Sequence, residues 1–260
     1  MLRLVTWNVA GRVGAQPQQA AALAGVAADV VALQEVTVRT APLWRASLAE
    51  AGFVSWADAL DGLPAGKSRR RLSVLTAARV DVVRLELPGV PWPERVLRCR
   101  VGELEVINVH SPIAPSPELA KIRTHEAVAA LLAEASTVPR VLCGDLNTPR
   151  RELADGTLLT FAHDSKGRLR PERGERWDRA ERALIRDLGW VDAYRALHGY
   201  GDRSASWTFA NDKGGWRLDH VLLDGLTPVS ATYAHEWRRA GLSDHSALIV
   251  DVQPPAATTS

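Results

Sequence analysis

The sequence has few of the residues that build a disulfide framework or a membrane anchor. Its 260 residues include two cysteines, Cys99 and Cys143, and both lie in apolar runs that predict strands. This usage argues against a disulfide scaffold and fits a reducing compartment. No apolar run is long enough to cross a bilayer, and the N-terminus enters a strand-like run without a signal-peptide cleavage region. We therefore expect a soluble cytoplasmic protein with no membrane partner and no obligate protein partner.

A strong charge of either sign is also missing. The net charge is +2, so no global basic field indicates a polyanionic partner, and any such partner must be attracted locally. The hydrophobic share of 46% is enough for a sizeable core. The length allows one or two domains, but we find no internal repeat and no linker that would divide the chain. We predict one domain over residues 1–253 and a disordered tail over 254–260.

Strand-like runs occur in clusters, with helices between some of them. Helices are predicted at 17–28, 42–51, 118–135 and 174–188. Strands are predicted at 2–9, 28–35, 72–77, 80–87, 95–101, 104–109, 139–147, 217–223, 227–234 and 246–252. The least ordered segments are expected at 58–71 and 162–174, which are polar and rich in Gly or Arg. The pattern favours a mixed α/β protein with two packed sheets over a purely parallel doubly wound sheet.

A polar side chain repeatedly lies at one end of a strand-like apolar run. The set comprises Asn8, Glu35, His110, Asp145, Asn147, Asp219, Asp244 and His245. Strand ends aligned at one edge of a sheet would bring these groups together. Carboxylate and amide oxygens are hard ligands that suit Mg²⁺, and the absence of cysteine from the set argues against a soft-metal site.

Each of these residues also has a structural interpretation. Asn8 fits a turn, and Asp145 with Asn147 fits an Asx turn or a helix cap. Asp244 and His245 fit a loop before a strand. Glu35 is harder to explain in this way, because a carboxylate at the end of a buried run needs a partner. The occurrence of all of them in this order is what favours a functional site.

The ordered motifs resemble the endonuclease/exonuclease/phosphatase superfamily. The matching stretches are TWNVAGR, LQEV, NVHSP, GDLNTP, WRLDHVLL and LSDHSALIV, which run from residue 6 to residue 250. The resemblance implies a four-layer α/β/β/α sandwich of two mixed sheets flanked by helices, with the site at one edge. It also implies a metal-dependent hydrolase of phosphate esters that uses Mg²⁺ or Mn²⁺.

The resemblance further implies a role for each matched position. Asn8, Glu35 and Asp244 would form the metal site, with Glu35 the principal ligand. Asp145 would orient the attacking water or act as its base, and Asn147 would position the phosphate. His245 would stabilise charge on the scissile phosphate, and Asp219 would orient His245. His110 would contact the phosphate or help the leaving group.

The C-terminal half is most similar to exonuclease III and related abasic-site endonucleases. The similarity lies in the runs ERGERWDRAERALIRDLGWVDAYR and SWTFANDKGGWRLDHVLL. In the second run Trp207, Phe209 and Trp216 would flank a substrate groove, with Trp216 on a mobile loop after two glycines. The alternative is that these rings belong to the core.

Two departures from those nucleases leave the substrate open. The nucleases usually carry Tyr where this chain has His110, and LQET followed by Lys where this chain has LQEVTV. By having a histidine in that place, the chain resembles deoxyribonuclease I, sphingomyelinases and tyrosyl-DNA phosphodiesterases of the same superfamily. The basic run Arg69, Arg70 and Arg71 fits either nucleic-acid backbone contacts, which would be salt-dependent, or a solvated loop.

Three functions follow from these observations. The leading one is hydrolysis of DNA phosphodiester bonds, with DNA repair as a possible setting. The alternative is a phosphoesterase for a lipid, an inositol phosphate or another small substrate, against which the sequence shows no hydrophobic hairpin for membrane attachment. The third is a binding protein that kept the fold, against which every matched catalytic position holds a chemically competent residue.

Overall fold

The computed structural model describes residues 1–62, 72–209 and 213–254. The predicted basic run at Arg69, Arg70 and Arg71 lies outside the described residues, as does the tail after Pro254. In chain order the strands are β1 Leu2–Asn8, β2 Val30–Val36, β3 Ser55–Asp58, β4 Ser73–Ala78, β5 Val82–Leu85, β6 Val96–Val101, β7 Leu104–His110, β8 Arg140–Asp145, β9 Arg151–Glu152, β10 Leu158–Leu159, β11 Val191–Asp192, β12 Trp207–Thr208, β13 Gly215–Trp216, β14 Asp219–Asp224, β15 Thr227–Ala234 and β16 Ala247–Gln253. The α-helices are α1 Gln16–Ala24, α2 Ala41–Glu50, α3 Ala120–Ala133, α4 Gly174–Arg182, α5 Ala193–His198 and α6 His235–Arg239.

Twelve of these strands form two six-stranded mixed sheets. The first sheet has the order β15-β16-β1-β2-β4-β3, and the second has the order β11-β14-β8-β7-β6-β5. In each sheet one central pair is parallel, β1 with β2 and β7 with β8, and the other pairs are antiparallel. The remaining strands form two short hairpins, β9 with β10 and β12 with β13.

Strand alternation divides the apolar residues among three cores. In β1, Leu4 packs in the core between the sheets, whereas Val5 and Trp7 pack in an outer core beside α1 and α2. In β8, Cys143 packs between the sheets and Leu142 packs in the outer core beside α3. Successive side chains of a strand point to opposite faces, so each central strand contributes to two cores. The result is the predicted four-layer α/β/β/α sandwich.

A layer of buried amides and hydroxyls joins the two sheets below the edge where the site lies. The Gln34 side chain donates to Thr6 Oγ1 at 3.0 Å and to Asn108 Oδ1 at 2.9 Å. Asn108 in turn donates to the backbone carbonyls of Leu33 and Leu75. Because buried polar groups need partners, this network fixes how the first sheet lies on the second.

Most predicted elements are present, with shorter or altered ends. The strand expected at 80–87 spans Val82–Leu85, and the helix expected at 174–188 is an α-helix to Arg182 that continues as a π turn over Ala183–Asp187. The short pairs β9–β10 and β12–β13 were not predicted, because two-residue strands carry no periodic signal. Cys99 and Cys143 are buried and free, as expected. Among the described residues, no helix is long and apolar enough to span a membrane.

A buried ion network fastens the second sheet to the hairpin β9–β10. The Glu152 carboxylate accepts hydrogen bonds from Arg217 at 2.8 Å and from Arg195 at 2.7 Å. Arg217 also donates to Asp192 at 2.7 Å. Burial alone would raise the pKa of Glu152, but Arg217 and Arg195 outweigh burial and lower this pKa to about 2.

The lowered pKa of Glu152 predicts a specific acid sensitivity. The pKa of Glu152 in the folded protein lies below its ordinary value of 4.5. The ionised carboxylate therefore stabilises the folded state above about pH 4.5, and this stabilisation is lost as the pH falls towards 2. We expect Glu152→Gln to lower the free energy of unfolding at neutral pH and to reduce its dependence on pH in this window. Urea unfolding at a series of pH values measures both effects.

The exposed Glu172 provides the control for this experiment. Glu172→Gln should keep the wild-type pH dependence. If Glu152→Gln unfolded with the same acid dependence as the wild-type protein, the network would not be the source of the effect.

Candidate active site

Three predicted residues lie in one row across the second sheet. In the strand register, Asp145 at the end of β8 pairs with His110 at the end of β7 and with Asp219 at the start of β14. All three are on the face that points to the first sheet, because Cys143, Val106 and Val221 on the same strands pack between the sheets. They are at most 2% exposed.

The first sheet contributes Asn8 and Glu35 to the same edge. The Asn8 side chain donates to Asp145 Oδ2 at 3.0 Å and to Glu35 Oε1 at 3.3 Å, which joins the two sheets. Glu35 lies at a β-bulge in β2, where the register shifts between Gln34 and Val36, and its φ is 57°. The bulge changes the direction of this side chain, and 25% of it remains exposed.

A buried acid–base pair faces Asp145. His245 Nδ1 lies 2.8 Å from Asp219 Oδ2, and His245 Nε2 lies 3.8 Å from Asp145 Oδ2. Burial alone would lower the pKa of His245, but Asp219 and then Asp145 outweigh burial and raise it to about 10. The imidazole is therefore positively charged at neutral pH, and Asp219 fixes its orientation.

The second histidine of the site, His110, is uncharged. Burial and the neighbouring Arg95 both lower the pKa of His110, so its ring is neutral. An Arg95 guanidinium nitrogen lies 3.2 Å from His110 Nδ1, and His110 Nε2 lies 3.6 Å from Glu35 Oε1. Arg95 stacks on Trp92, with its guanidinium carbon 5.1 Å from the ring centre. The motif analysis missed Arg95, which follows a proline-rich segment without a recognisable pattern.

The loop after β8 holds Asn147 beside Asp145. Asn147 donates from its backbone N to Asp145 Oδ1 at 2.9 Å and from its side chain to the Ser111 carbonyl at 2.8 Å. In the strand just before this loop, only glycine fits at Gly144, because a Cβ there would lie 2.0 Å from the Val109 carbonyl oxygen of β7. The positive φ of 50° at Asn147 suits asparagine, which adopts the left-handed region more readily than most residues.

A buried ion pair behind this loop was also missed by the motif analysis. Lys121 Nζ donates to the Asn147 carbonyl at 2.7 Å and to Glu181 Oε1 at 2.6 Å. Glu181 also accepts hydrogen bonds from Thr148, Trp177 and the backbone N of Phe161. A lysine and a glutamate that are 60 residues apart give no local signal, so sequence reasoning assigned the lysine to a helix and no more.

The donor set at this edge fits a divalent cation. Glu35 and Asp145 have raised pKa values, first because of burial. Asp219 Oδ1 is buried without a hydrogen-bond partner among the described residues. Asp145, Asp219 and His245 offer ligand atoms within 4.8 Å of one another, but a positively charged His245 would repel a cation. The carboxylates are therefore better ligands for a cation than His245. The exposed carboxylate of Asp244 is also near Glu35, because its negative charge contributes to the raised pKa of Glu35.

An apolar cavity of about 210 Å³ opens beside Asn147. Its lining includes Ile113, Phe161, Trp216 and Leu218. Trp216 stacks on Trp207 with a centroid distance of 5.2 Å and an interplanar angle of 15°, and it belongs to the hairpin β12–β13. The expectation of a mobile loop at Trp216 is therefore wrong for this residue, because strand pairing and ring stacking hold it.

The model of the Endonuclease/Exonuclease/phosphatase family matches residues 5–245. The chain belongs to this family. Membership makes it a phosphoester-hydrolysing enzyme of a divalent-metal-dependent family. A comparison with curated proteins finds no match.

Solved structures share the family fold over nearly the whole chain. An AP endonuclease from Archaeoglobus fulgidus has a TM-score of 0.69 and 22% identity, and the match covers 96% of this chain and 99% of that one. The 3' phosphatase NExo from Neisseria, bound to a product DNA hairpin, has a TM-score of 0.70 and 21% identity, with 97% and 100% covered. A humanized TDP2 from D. rerio has a TM-score of 0.65 and 17% identity, with 97% and 98% covered.

The buried pair Lys121–Glu181 predicts coupled losses of stability and turnover. Glu181→Gln keeps the shape of the side chain but leaves the Lys121 ammonium buried without its carboxylate. Removing one partner of a buried pair costs roughly 3–5 kcal/mol. We expect a loss of this order in urea unfolding, together with a lower kcat, because Lys121 also holds the Asn147 carbonyl.

The exposed Glu175 on the same helix provides a matched control. Glu175→Gln should change neither quantity. If Glu181→Gln were as stable and as active as this control, the ion pair would have no role in holding the loop.

Proposed function

We propose that the enzyme is a Mg²⁺- or Mn²⁺-dependent phosphodiesterase that hydrolyses DNA phosphodiester bonds, with residues 1–253 acting as one catalytic domain. The observation that carries the proposal is the charged His245, which Asp219 fixes opposite Asp145. The apolar cavity is connected to this group through Asn147, which lines the cavity and donates a hydrogen bond to Asp145. The relatives support DNA as the substrate, because their descriptions name an AP endonuclease and a 3' phosphatase bound to DNA.

The side chains suit the steps of phosphodiester hydrolysis. Asp145 binds the attacking water and accepts its proton, since the raised pKa of its carboxyl makes it a stronger base than an ordinary aspartate. His245 stabilises negative charge on the phosphate oxygens, and Asp219 keeps its ring in place. Asn147 positions the phosphate through its side-chain amide.

His110 and Arg95 lie next to Glu35 at the same edge of the sheets. From there the neutral His110 and the guanidinium of Arg95 contact the phosphate or the leaving oxygen. Arginine offers bidentate donors that match phosphate oxygens. Asn8, Glu35 and Asp244 would hold the divalent cation, which supplies Lewis-acid polarisation and stabilises the leaving group when it is bound.

The apolar cavity suits an exposed sugar or base more than a lipid chain. Trp216 and Phe161 offer ring surfaces against which a nucleotide can pack, and stacking on an aromatic ring contributes about 1–3 kcal/mol per base. Ile113 and Leu218 complete an apolar wall next to Asn147. The cavity volume of about 210 Å³ matches a single sugar or base unit better than an acyl chain.

A substrate panel tests the proposed activity. We expect cleavage of at least one DNA substrate among abasic duplex, nicked duplex and single strands to exceed cleavage of RNA, a generic phosphodiester, an inositol phosphate and a lipid phosphodiester. Chelation should abolish activity, and Mg²⁺ or Mn²⁺ should restore it. Hydrolysis of a lipid or small phosphoester with no cleavage of DNA would support the other class of phosphoesterase instead.

The assigned roles predict large losses in two variants. Asp145→Asn removes the base, and His245→Ala removes the fixed positive charge. Each should lower kcat by at least about a hundredfold, which corresponds to roughly 2.7 kcal/mol of transition-state stabilisation. Steady-state kinetics on the preferred substrate measures the effect, and Asp81→Asn at an exposed turn is the control. Near-wild-type rates in folded variants would contradict the assignment.

A further inference from the structure

A second cavity of about 270 Å³ is also lined by Trp216 but not by Asn147. Its lining includes Arg150, Arg151, Arg203, Gly215 and Trp216. We propose that this cavity is an anion subsite that binds a second phosphate of the nucleic-acid strand whose scissile phosphate lies at Asp145. The inference rests on the proposed function and extends it to a substrate contact outside the catalytic centre.

The lining of this cavity has an excess of positive charge. Among its described residues, five arginines accompany two carboxylates, Glu152 and Asp202. The Glu152 carboxylate is engaged by the buried Arg195 and Arg217. Asp202 accepts hydrogen bonds from Tyr194 and from the backbone N of Ser204. Two buried arginines therefore share the Glu152 carboxylate, and the five arginines of the lining still outnumber its two carboxylates.

The guanidinium groups of Arg150 and Arg151 have no hydrogen bond or ion pair with the described part of the chain. Arg203 uses one nitrogen to donate to the Glu152 carbonyl at 2.8 Å, which fixes it at the wall of the cavity. Arg150 is half-buried and Arg151 is exposed. A guanidinium without a protein partner can bind an anion, and its forked donors match phosphate oxygens.

The chain connects this cavity directly to the catalytic centre. Arg150 follows Asn147 by three residues, and Trp216 lines both this cavity and the apolar cavity at Asn147. A sugar or base against Trp216 on the Asn147 side would therefore direct the next phosphate of its strand towards the arginines. A small phosphoester with a single phosphate leaves this position empty, so the subsite favours a polymeric substrate over such esters.

Salt-dependent binding tests the subsite. The double variant Arg150→Ala/Arg151→Ala is compared with wild type in fluorescence anisotropy on a labelled DNA duplex, over a series of KCl concentrations and with metal chelated. The slope of log K against log salt becomes shallower by about 0.9 for each phosphate contact that is lost, so the loss of this one phosphate should reduce its magnitude by about 0.9. In cleavage assays the KM for the same duplex should rise by a larger factor than kcat falls.

Two further variants distinguish a specific phosphate site from a general effect of positive charge on DNA binding. Arg179→Ala/Arg182→Ala removes two positive charges from α4, where Arg179 is exposed and Arg182 is partly exposed. This variant should reduce the magnitude of the salt slope by less than half as much as Arg150→Ala/Arg151→Ala does. Arg150→Lys/Arg151→Lys keeps the charge and should retain most of the wild-type slope. Circular dichroism confirms that each variant is folded.

The outcomes distinguish this inference from the proposed function. An unchanged slope in Arg150→Ala/Arg151→Ala, or a decrease equal to that of the α4 control, overturns the subsite while DNA cleavage by the wild-type enzyme stands. A wild-type enzyme that neither binds nor cleaves any DNA in the panel overturns the proposed function and the subsite together.

Discussion

The site depends on the alternation of side chains along the strands of two sheets that pack face to face. Below the edge, the inward positions of these strands hold apolar residues such as Leu4 and Cys143, and at the edge they hold Asn8, His110, Asp145 and Asp219. A shift of one residue in any strand would turn its polar group towards a helix layer. The hydrogen bonds of Gln34 and Asn108 prevent such a shift, because they join the sheets directly below the site.

Burial of this edge determines its charges. Desolvation raises the pKa values of Glu35 and Asp145, while Asp219 and Asp145 keep His245 protonated against the same effect. Two histidines a few ångströms from one carboxylate therefore have different charge states, since His110 lies beside Arg95 and His245 lies beside Asp219. In the proposed mechanism this separation would provide a base, a fixed cation and a neutral donor within one buried space.

The sequence by itself predicted the fold class and most of the polar residues that meet at one edge of the sheets. Runs with period two, each with a polar residue at one end, predicted strands whose ends meet, and the structure brings Asn8, Glu35, His110, Asp145, Asn147, Asp219 and His245 to one edge. This prediction succeeded because alternation and strand ends are local properties of the chain. The order of the motifs then indicated the family, which the family match over residues 5–245 confirms.

The tertiary structure alone decided which groups act on one another. Lys121 and Glu181 pair across 60 residues, and Arg95 reaches His110 from the 3₁₀ turn Pro93–Arg95. Trp216 is fixed by stacking on Trp207 where the sequence had predicted a mobile loop. The same holds for the arginine-lined cavity, whose walls come from segments around residues 150, 203 and 216. Distances between segments far apart in the chain, and the pKa shifts that burial causes, arise only when the sheets pack, so no local pattern in the sequence contains them.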